Sequence, residues 1–115
     1  DDEVEILLDI DNDPKTFHQI LVNAVGTKME LTEKGTINLG TLTTAHTVEN
    51  RQWTLEIAIP YEGLGVKPPK PGDVWGINVC RMRPPGGSSG EELITWAPME
   101  HGFVEPENLA KLVFK

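Results

Sequence analysis

Apolar and polar residues alternate along much of this chain. Near its start Val4, Ile6, Leu8 and Ile10 fall on one side, and Glu5, Leu7 and Asp9 fall on the other. A period of two belongs to an extended strand, whose successive side chains point to opposite faces. The run stops at Asp11-Asn12-Asp13-Pro14, residue types that favour turns. Alternation resumes at Phe17 and continues to Ala24. Ile20, Val22 and Ala24 are predicted to face a core, with Gln19, Leu21 and Asn23 facing away. Gly26 marks a turn, Met29 and Leu31 a short strand, and residues 32–40 a turn-rich stretch punctuated by Gly35 and Gly40.

The clearest strand covers residues 52–59, where Trp53, Leu55, Ile57 and Ile59 share a face and Pro60 ends the run. Tyr61 to Gly65 reads as a helical turn or tight loop. The proline-rich stretch 67–73 excludes a regular element, because proline fixes φ and removes a backbone donor. Residues 74–82 form another strand, with Trp75, Ile77 and Val79 on one face and Asn78 and Cys80 on the other. A glycine- and proline-rich loop follows at 84–90, then short strands at 93–97 and 111–114. No amphipathic helix of ten or more residues is evident. Short strands separated by turn signals predict an all-β chain, an antiparallel β-sandwich of the immunoglobulin-like or jelly-roll-like kind.

Composition narrows the class. With 115 residues the chain has the size of one domain. The formal net charge of −8 opposes binding to nucleic-acid phosphates and to anionic membranes. No apolar run approaches the roughly 20 residues of a membrane-spanning helix. The single cysteine, Cys80, rules out an internal disulfide and a multi-cysteine metal site.

Catalytic signatures are missing. There is no nucleophile elbow, phosphate-cradling glycine loop or metalloprotease helix. His18, His46 and His101 are scattered, and no local signature gives any of them a serine or cysteine partner. The prediction is a non-catalytic chain. Its outward strand faces carry Glu5, Gln19, Asn23 and Asn78, carboxylate and amide groups suited to a hydroxyl-rich ligand. The alternative is an ordinary solvated sheet face. Sugar rings stack on flat aromatic rings, so aromatics weigh heavily. Trp53 and Trp75 fall on core faces. Trp96 shares a face with Ile94, which predicts packing in the core, yet it remains a candidate platform. Phe103 sits in a glycine-flanked loop as an anchor or a platform. Asp9, Asp11 and Asp13 place oxygen ligands at alternate positions, as a calcium loop does; an Asx-rich turn is the competing reading.

Taken in order, these segments resemble family 9-type carbohydrate-binding modules. The resemblance rests on residues 4–13 and 17–23, on Trp53 to Tyr61 with Leu64-Gly65, on Pro71 to Arg81, on Thr95-Trp96-Ala97-Pro98, on Gly102-Phe103 and on Leu109 to Phe114. It spans nearly the whole chain. It implies a β-sandwich that binds sugars such as glucan or xylan chain ends, carried by a secreted or cell-surface protein beside other domains, with calcium in a structural role. Glu5 aligns with a ligand carboxylate of the family and Phe103 with one of two clamping aromatic rings, where a tryptophan is usual. The other ring falls upstream of Asp1, and a ligand arginine of the family aligns with Leu21. Relatives of this kind carry further strands before the first one here. The expectation is therefore one carbohydrate-binding-module-like domain over 1–115 that lacks its N-terminal strands. Two other readings stay open: a structural or protein-docking module without a sugar ligand, and a haem-binding domain of the same fold with Met82, Met99 and His101 as candidate axial ligands.

Overall fold

A computed structural model describes residues 2–11, 13, 15–37, 43–49, 52–83, 92–100 and 104–115; for 36, 37, 43–48, 92 and 93 it describes the backbone alone. The chain is all-β. Strands β1 (Glu3–Asp9), β2 (His18–Asn23), β3 (Lys28–Thr32) and β4 (Gly35–Ile37) form an antiparallel meander. Strands β5 (Thr43–Glu49) and β6 (Gln52–Ala58) pair as a hairpin. Then come β7 (Val74–Arg83), β8 (Glu92–Thr95), a short 3-10 turn at Pro106–Asn108, and β9 (Ala110–Val113). β7 returns to pair with β1, which makes a seven-stranded first sheet of order β4-β3-β2-β1-β7-β8 with β9 also on β7. β5 and β6 make a two-stranded second sheet.

The turns follow their residues. Asn23 closes the β2–β3 turn, its Oδ1 accepting from the backbone N of Val25 and Thr27 at 3.1 and 2.8 Å. Gly26 supplies φ of 92° in that turn, a conformation that costs glycine nothing. After β6 the chain makes the helical turn read from the sequence, with Leu64 N donating to Pro60 O at 3.3 Å.

Burial divides the first sheet into two covered faces. The inner face carries Leu8, Ile20, Val22 and Trp75, packed with Leu55, Ile57 and Ile59 of the β6 segment. Trp75 meets Phe114 edge-on at 4.9 Å and Tyr61 at 6.2 Å. On the outer face Leu7 and Cys80 are fully buried against Phe17, Met99 and Leu109. That cover comes from the chain between β8 and β9. Both strands pair along the same edge of β7, so the segment joining them crosses the outer face. Gly76 sits beneath it because a Cβ there would lie 2.9 Å from Leu109 Cδ1. The alternation of β1, β2, β6 and β7 was legible. β4 lies inside the stretch expected to be turns, and β5 was not anticipated. The loop expected at 84–90 lies outside the described residues.

Candidate functional site

The polar residues assigned to the outer face are on that face, but they do not form an open platform there. Glu5, Asp9 and Asn78 are 6%, 2% and 1% exposed, so a simple solvated face is corrected to a covered one. The reason is the crossing segment between β8 and β9. Asn78 holds it. Its Oδ1 accepts from Ala97 N at 2.8 Å and its Nδ2 donates to Ala97 O at 3.3 Å. The side-chain amide thus extends the sheet's ladder to a residue beyond the end of β8. Glu105, 5% exposed, ties the same segment together, with Oε2 accepting from Glu100 N and Asn108 Nδ2 at 2.8 Å each. Nothing in the local sequence singled out Glu105, since its role depends on a chain reversal.

Glu5 and Gln19 are brought together. Gln19 Nε2 donates to Glu5 Oε2 at 3.3 Å across β1 and β2. Burial lifts the Glu5 carboxyl above its usual range, Glu3 adds to the rise, and the Gln19 bond opposes it. Cys80 lies across from Glu5 on β7. Its thiol is pushed up to about 11 by burial and then by Glu5 and Glu3, so at neutral pH it is an inert thiol. Asn23, by contrast, is occupied by the β2–β3 turn and stands apart from this pair.

Trp96 is on the opposite face. Its backbone N donates to Val79 O at 2.9 Å, which continues the Arg81–Ile94 register and turns Ile94 and Trp96 to the inner side. The core role expected for Trp96 is corrected: its exposure is 64%, and that of Ile94 is 48%. β8 lies at the border of the sheet, where both side chains stand open. Beside them a cleft of about 760 Å³ separates Val4, Ile6, Val79 and Arg81 of the first sheet from Trp53 and Leu55 of β6. Arg81 Nη2 pairs with Asp2 at 3.1 Å, while its buried Nε has no hydrogen-bond partner.

Comparison of the chain with protein families, with curated proteins and with solved structures finds no match. The geometry therefore carries the functional argument.

The aspartates do not build a calcium cage. Asp13 Oδ1 already accepts from Lys15 N, Thr16 N and Thr16 Oγ1 within 2.9 Å, which holds its carboxyl below the usual range. Asp11 is exposed and Asp9 buried. Among the described residues no three carboxylate, histidine or cysteine side chains gather at one point. As placed, Asp9, Asp11 and Asp13 do not gather the six to eight oxygens that a calcium ion takes. Of the haem candidates, Met99 packs against the Leu7 and Cys80 cluster and Met82 lies on β7; His101, like Phe103, lies outside the described residues.

One feature of the end of the sandwich was not anticipated. A cleft of about 540 Å³ there is lined by His18, Thr16, Thr32, Glu33 and Leu64 among others. Burial depresses His18 below its usual value against the opposing pull of Glu33 and Asp11. The Phe17 N–H donates to Glu33 Oε2 at 3.2 Å. The available signal was the period of two, which sets His18 on the face of Ile20 and Val22.

Proposed function

We propose that this chain is a non-catalytic carbohydrate-binding module of a secreted or cell-surface protein, taking glucan- or xylan-type sugar at the Glu5–Gln19 pair. The observation that carries the reading is that pair: Glu5 Oε2 is fixed by the Gln19 amide at 3.3 Å, and Gln19, unlike the covered Glu5, is partly open to solvent. A carboxylate beside an amide accepts from one sugar hydroxyl while the amide donates to or accepts from the next. Burial strengthens such bonds by lowering the local dielectric. The ordered sequence blocks that resemble family 9-type modules support the same reading and align Glu5 with their ligand carboxylate.

Isothermal calorimetry against cellobiose and xylo-oligosaccharides tests it. Saturable heat is expected, with affinity at least roughly tenfold weaker for Glu5→Gln and for Gln19→Ala, a loss of about 1.4 kcal/mol. Absence of heat with every sugar, or binding indifferent to both substitutions, refutes the assignment. Release of reducing ends by the isolated chain would place it among enzymes instead.

A further inference from the structure

His18 opens β2, with Leu8 of β1 as its partner on one side and Thr32 of β3 on the other. Strand alternation sets it on the face of Ile20 and Val22, at the end of the inner core that Leu8 and Leu64 share. The residue as a whole is half-buried, but its Nδ1 is buried and has no hydrogen-bond partner among the described residues. A neutral imidazole tolerates this, because one of its two nitrogens carries no proton. An imidazolium does not, because both nitrogens then carry N–H. A proton on His18 therefore leaves a buried donor unsatisfied and a charge poorly solvated.

The cleft of about 540 Å³ beside the ring offers the charged form a second position. Asp11 lines it from the chain after β1, and Glu33 and Lys34 line it from the β3–β4 turn. Leu64, Gly65 and Val66 bring no charge to it. Burial disfavours the imidazolium where the ring now sits, whereas Glu33 and Asp11 attract it. Glu33 is held below its usual range, first by its own backbone N–H and then by that of Phe17, so it is still an anion where His18 takes up a proton. Lys34 repels the imidazolium, but the carboxylates outnumber it. Each charge state of the ring thus has its own preferred place.

We propose that His18 is an acid-operated latch: neutral, its ring covers the end of the inner core at Leu8 and Leu64; protonated, it swings into the cleft toward Asp11 and Glu33 and opens that end. The closed position favours the neutral ring, so it is complete above the ordinary value of 6.5 and is lost as pH falls through the lower folded value. The movement is one side chain's, since β2 stays paired with β1 and β3. It is independent of the Glu5–Gln19 pair, which lies on the opposite face.

Nuclear magnetic resonance of the intact protein tests the latch between about pH 7.5 and 4.5, the span in which histidine changes charge. A dissolved gadolinium chelate reports how open the His18 ring protons are to water. His18 is expected to titrate below 6.5, and broadening of its ring signals by the chelate rises over the same step. The ratio of open to closed rings increases about tenfold for each unit that burial takes from the ordinary value. Glu33→Gln keeps an acceptor for the Phe17 N–H and removes the charge. It lowers the His18 midpoint by roughly 0.2–0.7 units, the range of an exposed charge pair. A midpoint at or above 6.5, a ring equally covered throughout, or a midpoint that Glu33→Gln leaves in place overturns the proposal. So does loss of the Ile20 and Val22 methyl signals over the same step, which would make the event general acid unfolding.

Discussion

Removing the Asn78 amide tests whether the outer-face cover is held by one side chain. In Asn78→Ala, the Ala97 N–H loses its 2.8 Å bond and the Ala97 C=O its 3.3 Å bond. Ala97 is 5% exposed, so water cannot replace both partners without opening the segment. Leaving a buried backbone group unsatisfied costs about 1–3 kcal/mol, so two such groups cost about 2–6 kcal/mol. That is a large share of the 5–15 kcal/mol that holds a typical domain together. At about 4 °C per kcal/mol for a domain of this size, the thermal midpoint falls by about 8–24 °C. Asn78→Asp separates the two bonds. It keeps an acceptor for the Ala97 N–H but loses the donor to the Ala97 C=O and buries a charge, so it costs at least as much at pH 7. Protonating the new carboxyl restores a donor, and part of the loss returns at low pH. Urea unfolding measures both variants, and amide exchange at Ala97 reads the local opening. A loss under about 0.5 kcal/mol, or unchanged exchange at Ala97, refutes the reasoning.

Three further outcomes follow from the same packing. Gly76→Ala places a Cβ 3.2 Å from both Asp9 Cβ and Leu109 Cβ, and overpacking of that kind lowers stability by about 1–3 kcal/mol in urea unfolding. Glu5 has a folded-state pKa raised above 4.5. Its neutral form is favoured in the fold, so its contribution is complete below 4.5 and is lost as pH rises through the folded value. Glu5→Gln is therefore expected to gain on the wild type as pH climbs from 4 to 7, as read in paired denaturation curves; a constant difference would contradict the burial argument. Cys80, buried and with its thiol at about 11, resists iodoacetamide in the native protein at pH 8 and reacts on unfolding, and mass spectrometry distinguishes the two cases.

Much of the inner layer is legible in the sequence because one face of each strand obeys a strict period of two. Leu8, Ile20, Val22 and Trp75 meet where their alternation places them. The outer face is harder to read. Glu5, Asp9 and Asn78 look like solvent-facing residues, and only the apolar Leu7 and Cys80 among them signal a cover. The cover is an irregular segment with no periodicity of its own, fixed by amide and carboxylate bonds from Asn78 and Glu105 whose partners depend on the return of the chain. Trp96 shows the converse. Its pattern is that of a core residue, but its strand lies at the border of the sheet, so a correct face assignment still gives the wrong burial. β5 escaped notice because its residues, Thr43-Thr44-Ala45-His46-Thr47-Val48-Glu49, contain few large apolar side chains.

The pairing of β1 with β7 has a consequence for synthesis. The meander β1–β4 is synthesised before β7, and 79 positions separate the two partners of the Asp2–Arg81 contact. Until β7 is made, the β1 edge carries an open ladder flanked by Val4, Ile6 and Leu8. Distant strand pairings of this kind form slowly, and unpaired edges in the interval invite association with other nascent chains. The strand that joins β1 to β8 and β9 is thus also the one whose later arrival sets how long that edge stays open.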